Sequence, residues 1–412
     1  MRWVVTSGAL ALIAAVVFAW GACSARLERA DLTAPLIFVV TGAALAGVAQ
    51  VDADTAGVMA LTEVTLVWVL FADAARVGLR ELRTDAGVYG RLLGLALPVT
   101  VAAGAFGAWW ILASPAPWLA LLIGAALAPT DAALGAVVIT HPAVPVRVRR
   151  ILNVESGLND GIVTPIVLVA LAGAASAPDH AGANALAAAL QLAGGAVIGV
   201  GIGGAGGWLL RQAHRRGWAA ETFAGPAVLA LALLAYAASL AGHGNGFVAA
   251  FAAGIAFGHI AGRGGPHEVF YVEQTAGLAS LLVWLLFGAV GVPLLYGRLD
   301  WPIVLYAVLS LTAVRMIPVA LSLAGARLGR RTVLFIGWFG PRGLASVVFA
   351  LLAVEQLGPG AESAVVVIVL TVALSVLTHG LTAGPLAARY GSRVARPDEQ
   401  AAREPTPRGS HE

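Results

Sequence analysis

Thirteen apolar runs, each close to the length of a bilayer-crossing helix, follow one another along the chain with only short polar breaks between them. They lie near 3–22, 33–49, 58–78, 92–113, 117–140, 152–175, 185–210, 222–241, 244–262, 273–296, 301–325, 332–356 and 361–388. About 20 mostly apolar residues are needed for a helix to cross a ~30 Å hydrocarbon core at about 1.5 Å per residue. Composition agrees with the pattern. Charged residues make up 11% of the 412 and hydrophobic residues 59%, whereas soluble domains carry about 25% charge. An ordinary soluble domain is therefore excluded. The 25 basic residues are all Arg and the net charge is only +3. They are spread through the loops rather than gathered on one tail, so the basic balance does not point to nucleic acid. Cys23 is the single cysteine, which excludes an internal disulfide framework and a multi-Cys metal site.

The arginines orient the chain. The connections after runs 1, 3, 5, 7, 9 and 11, with the C-terminal tail, hold 20 of the 25; the opposite side holds only Arg2 and Arg298. Arginine-rich loops stay on the cytoplasmic side, which predicts an odd number of spans in the cell membrane, N-terminus outside and C-terminus inside. Run 1 has a second reading as a signal peptide ending at Ala22-Cys23. Its single n-region charge, and Trp20 where a lipoprotein site takes Leu, count against cleavage. Residues 1–390 then form one membrane domain, and the polar, Pro-containing tail 391–412 is predicted to be disordered.

Polar groups break four of the runs. An ionisable residue in a span costs about 2.5–3.5 kcal/mol on insertion scales, so it faces a cavity or a partner. Asp73 and Arg76 sit in run 3, where an i,i+3 ion pair with Arg76 reaching toward the surface is the plain explanation; Asp73 is deeper and stays a site candidate. Run 5 carries Pro129-Thr130-Asp131 at its centre. Pro129 removes a helical hydrogen bond, and unwound backbone at that depth is tolerated only inside protein or along a cavity. Run 6 carries Asn153-Val154-Glu155-Ser156-Gly157-Leu158-Asn159-Asp160-Gly161. Helical spacing puts Ser156 over Asp160 and Glu155 over Asn159, so one row presents a hydroxyl and a carboxylate, ligands suited to a small hard cation. A helix cap explains Asn153 or Ser156 but not Asp160, about two turns inside. Run 12 carries Gly340-Pro341-Arg342-Gly343, a second interruption with a charge that suits Glu155 or one of the aspartates. Arg315 in run 11 and Glu273 at the start of run 10 read as structural or interfacial.

Runs 5 and 12 are the fifth members of two sets of six, about 1–175 and 222–390, joined by a linker helix near 185–210. Interrupted helices at matching places in two inverted repeats mark the binding site of a secondary transporter.

With Pro129-Thr130-Asp131, Glu155-Ser156-Gly157-Leu158-Asn159-Asp160-Gly161 and Gly340-Pro341-Arg342-Gly343 at their spacing, the chain resembles the monovalent cation:proton antiporters. The likeness is to their first family, the NhaP-like sodium/proton exchangers. The resemblance implies an all-α fold of about thirteen transmembrane helices, with a core domain, a dimerisation domain and two half-broken helices, runs 5 and 12, crossing at the site. It implies a homodimer in the bilayer that exchanges Na⁺, with Li⁺ or K⁺ as alternatives, for H⁺, and no cofactor. Asp160 would hold cation or proton in turn, with Ser156, Thr130 and Asp73 completing the shell. Asn159 would hold the crossing together with Asp131, and Glu155 and Arg342 would form a buried pair. Asn159 stands where an electrogenic branch has a second Asp, and because it cannot titrate, one-for-one electroneutral exchange follows.

Two other classes share parts of the pattern. An intramembrane aspartyl protease also has two membrane aspartates, but Asn159 and Thr130 stand where its motifs need Gly and Tyr. A cation channel would line a pore with polar groups, yet no repeated selectivity loop occurs. No Gly-x-x-x-x-Gly-Lys-Ser/Thr run is present to hold ATP phosphates.

Overall fold

The computed structural model describes residues 7–30, 32–46, 55–77, 83–112, 116–175, 181–261 and 266–403. These are helical throughout, with no strand among the described residues. In chain order the helices are α1 (Ser7–Arg29), α2 (Ala34–Ala46), α3 (Thr55–Arg76) and α4 (Ala86–Ile111). A broken helix follows, α5a (Pro117–Ala126) and α5b (Ala136–Thr140), then α6 (Val146–Ala175), α7 (Ala181–Arg215), α8 (Glu221–Ala241) and α9 (Gly246–Ala261). Next come α10 (Pro266–Leu286), extended by a wide and then a tight turn to Leu295, and α11 (Trp301–Ser322), interrupted at Thr312. The second broken helix is α12a (Arg330–Trp338) and α12b (Leu344–Leu357), and α13 (Glu362–Arg403) ends the bundle.

Each predicted run thus carries a helix or a broken pair. Among the described residues, nine helical stretches are long and apolar enough to cross a membrane, and α2, α5a and α9 are shorter apolar helices. One of the nine, Leu344–Val394, contains α12b and α13 as far as Val394. Gly358, with φ of 53°, lets the chain leave α12b for α13, a conformation that side chains with a Cβ disfavour. α13 runs on past Gly391 to Arg403, and Tyr390 within it stacks on Phe335 with ring centroids 4.1 Å apart. Residues 404–412 lie outside the described residues.

Helix contacts are densest within two groups of helices, and one large apolar core runs through both. A buried apolar cluster gathers Val88, Leu92, Val138, Ile151, Val319, Ile336 and Ala387, from α4, α5b, α6, α11, α12a and α13. In the other group α2 packs on α10, while α3 packs on α9 and α10. Helices in lipid gain no hydrophobic drive from association, so small residues that let backbones approach set their packing. On α7, Gly195, Gly199 and Gly203 recur at one face against the backbone of Asn245, just before α9, and of Ala249 and Ala253 within it. A Cβ at any of the three would overlap that backbone. The long α6 touches both groups, reaching α5a and α12b on one side and α3, α7 and α9 on the other. Its buried face therefore lies where the groups meet.

Candidate functional site

The two interruptions cross each other. The Asp131 N–H donates to the carbonyl of Pro341 at 2.8 Å, so the break of α5 lies directly on the break of α12. Broken helices leave orphan carbonyls and N–H groups, and side chains from the facing break answer them. Ser346 Oγ donates to the Ala126 carbonyl at 2.6 Å. Arg342 donates to the carbonyls of Ala128 at 2.5 Å, Pro129 at 3.4 Å and Ser310 at 3.1 Å. The Asp131 carboxylate accepts from Leu344 N at 2.9 Å, the first residue of α12b, and from Ala133 N at 2.7 Å and Leu134 N at 3.2 Å. A cation thus lies at the carbonyl end of α5a and an anion at the N-terminus of α12b, the arrangement helix dipoles favour. Gly343 makes this possible, since a Cβ there would lie inside the Asp131 carboxylate.

On α6, Glu155, Ser156, Asn159 and Asp160 are all buried. Ser156 Oγ lies 2.9 Å from Thr130 Oγ1, and Asn159 Nδ2 donates to the same Thr130 oxygen at 2.6 Å. Asp160 Oδ1 and Asn159 Oδ1 have no hydrogen-bond partner. Asp73 is half-buried on α3, its Cβ 3.4 Å from where a Gly157 Cβ would stand; Gly157 and Asp160 share a helix face. Asp73 and Asp131 are both within electrostatic reach of Asp160. The structure therefore brings Thr130, Ser156, Asn159 and Asp160 together, with Asp73 against the same row. An unpartnered carboxylate oxygen with two hydroxyls and a second carboxylate, that of Asp73, beside it can hold a small cation or a proton.

Three expected pairings are replaced. Glu155 does not pair with Arg342; its carboxylate takes Arg315 Nη2 at 2.5 Å, with the side chains 3% and 1% exposed. Arg342 is instead spent on the carbonyl ends of α5a. Arg315, read as structural or interfacial, is fully buried and runs past Gly340, where a Cβ would press on its guanidinium. Asn159 binds Thr130 rather than Asp131, because the Asp131 carboxylate is turned to its own loop and to α12b. Arg76 pairs with Glu273 of α10 rather than with Asp73.

Sequence reading passed over Ser375 and His379. His379 is 1% exposed, with Nε2 3.0 Å from the Trp338 carbonyl and Nδ1 3.2 Å from Ser375 Oγ, which accepts the Arg342 N–H at 2.6 Å. With Nε2 donating, these bonds form a chain from one side of the α12 break to the other. The signal was a lone polar pair at i,i+4 in run 13, with no motif beside it.

A helical membrane bundle in which two broken helices cross at a buried, incompletely bonded carboxylate defines the class of broken-helix secondary transporters. The model of the family described as "Sodium/hydrogen exchanger, transmembrane" matches residues 11–389. The chain belongs to the sodium/hydrogen exchanger family. It is 27% identical over 297 residues to the K(+)/H(+) antiporter NhaP of Alkalimonas amylolytica, covering 70% of this chain and 50% of that protein. It is also 27% identical over 267 residues to the K(+)/H(+) antiporter NhaP2 of Shewanella sp. (strain MR-4), covering 64% of this chain and 46% of that protein. The chain thus spans about half the length of the curated relatives it matches. In fold it is similar to the sodium proton antiporter MjNhaP1 from Methanocaldococcus jannaschii at pH 8. The TM-score is 0.71 at 20% identity, over 93% of this chain and 98% of that one.

Proposed function

We propose that the chain exchanges Na⁺ or Li⁺ for H⁺ across the cell membrane by alternating access, one ion for one proton. The observation that carries this reading is the Asp160 carboxylate, buried at the helix crossing with one oxygen unbonded, beside the Thr130–Ser156–Asn159 cluster. Taking a carboxylate out of water disfavours its charged form unless something neutralises it. A proton does so, and so does a monovalent cation held with hydroxyl oxygens. The two compete for one place, which is what coupling needs. Asp160, Ser156, Thr130 and Asp73 would form the shell, while Asn159, Asp131, Glu155, Arg315 and Arg342 hold its frame. Movement of the α4–α6 and α11–α13 group against the other would expose the site to each side in turn. A thirteen-span homodimer, N-terminus outside and C-terminus in the cytoplasm, accords with the arginine distribution and the family. K⁺ is the second substrate reading, favoured by the names of the Alkalimonas and Shewanella relatives.

Liposomes carrying the purified protein and a pH gradient test the reading when Na⁺, Li⁺ and K⁺ are added separately. Wild type is expected to dissipate the gradient, and a folded Asp160→Asn variant to match protein-free liposomes. No response of wild type to any of the three ions would overturn exchange. Current without proton movement would make the protein a channel.

A further inference from the structure

Away from the crossing, a cleft of about 400 Å³ opens between the C-terminal end of α7 and the start of α8. Val228, Leu231 and Phe257 form its apolar floor, and Trp208, Trp218 and Arg216 stand at its mouth. The Arg216 guanidinium lies 4.9 Å from the centre of the Trp218 ring. Trp218 is 74% exposed and Trp208 49%. Arg216 lines the cleft, and Arg211 and Arg215 lie close by in the chain but outside the lining. None has a carboxylate partner among the described residues, although His214 between them lies 3.8 Å from Glu268.

Arg211 and Arg215 are i,i+4 neighbours, so they repel one another unless an anion lies between or beside them. The helix dipole favours a cation in the last turn by about 0.3–1 kcal/mol. It gives no reason for a guanidinium at the mouth of an open apolar cleft with two more arginines close by in the chain. The apolar stretch Ala187–Arg215 ends at this point, which sets the arginines at the membrane surface and the cleft floor at the depth of acyl chains. Exposed tryptophans belong at that same interface. Guanidinium groups bind phosphate through paired charge-assisted hydrogen bonds, and basic pockets between membrane helices suit anionic head groups.

We infer that this cleft binds an anionic phospholipid, one acyl chain lying along Val228, Leu231 and Phe257 and the phosphate held by Arg216, with Arg211 and Arg215 adding positive charge at the membrane surface beside it. A zwitterionic lipid carries a phosphate too, but its ammonium group would meet the same arginines. The site therefore selects for net negative charge.

Native mass spectrometry of the full chain in detergent, with equal amounts of phosphatidylglycerol and phosphatidylcholine, reads the selection directly. Wild type is expected to retain phosphatidylglycerol preferentially. The R211Q/R215Q/R216Q variant is expected to lose at least about tenfold of that preference, the size of one charged hydrogen bond. Ala227→Trp, which fills the cleft and leaves the arginines in place, is expected to lose retained lipid of both kinds. Glycerol phosphate at the same concentration is expected to leave bound phosphatidylglycerol in place. Equal retention of the two lipids by wild type would overturn the site without reference to any variant. So would an unchanged preference in the arginine variant, or unchanged retention after Ala227→Trp. Displacement by glycerol phosphate would reassign the arginines to free phosphate.

Discussion

Glu155 and Arg315 show how a residue's neighbours, more than its type, set what it does. They are separated by 160 residues, and each is almost wholly withdrawn from solvent. Removing one partner of such a pair leaves the other charge buried alone, at a cost of about 3–5 kcal/mol. Glu155→Gln and Arg315→Met are each expected to lower the thermal unfolding midpoint in detergent. The Glu155→Gln/Arg315→Met double variant is expected to be less destabilised than the sum of the singles. Additive singles would mean that the contact carries no coupling. Asp85, just before α4, accepts from Arg147 Nε at 2.9 Å and Arg150 Nη2 at 2.7 Å. Burial raises its pKa, but the hydrogen bonds and charges of Arg150 and Arg147 outweigh that and hold it below the ordinary value. A folded pKa below the unfolded one gives stability that is complete above the unfolded value, about 3.9, and fades as pH falls through the folded value. Asp85→Asn is therefore expected to cost about 0.2–1 kcal/mol at pH 7, because Arg147 is half exposed. The gap from wild type should close in strong acid.

At the scale of elements, the broken helices are the parts most dependent on outside support. α12a and α12b are joined only by 339–343, and α13 holds both sides of that gap through Ser375 and His379. His379→Leu leaves the Trp338 carbonyl and the Ser375 hydroxyl short of a partner, at about 1–3 kcal/mol. It is expected to raise the cation concentration for half-maximal exchange as well as lowering stability. His379→Gln can donate and accept in the same directions, and is expected to restore the concentration dependence. A Gln variant no better than Leu would reduce His379 to a space-filler. The breaks themselves were legible, because Pro129 and Gly340-Pro341 disrupt helix by local chemistry. Their clasp was not, since Ser375 and His379 look like any polar pair in an apolar run until α13 is laid against α12.

At the scale of the whole molecule, the site's charge sets how transport responds to voltage. Asn159 cannot titrate, so on the proposed reading the Asp160 site would carry one proton or one monovalent cation and would have the same net charge in both loaded states. Exchange is expected to run at an unchanged rate when a membrane potential is imposed with a lipophilic ion. A rate that follows the potential would require a second titrating group, and Asp73 and Asp131 are the carboxylates within reach to supply it.

The sequence by itself determined the membrane solvent, the helical class, the side on which arginines collect, the two helix breaks and the carboxylate between them. All of these are local: they depend on run length, on proline chemistry and on spacing along one helix. Tertiary structure decided which charge answers which. Each residue turns a helix by about 100°, so small differences in rotation and depth between α6, α11 and α12 choose the partner of Glu155. That choice fell on Arg315, and it freed Arg342 for the carbonyl ends of α5a. Thr130, not Asp131, became the partner of Asn159 for the same reason. These contacts depend on the relative placement of helices far apart in the chain, and no short stretch of sequence encodes that placement.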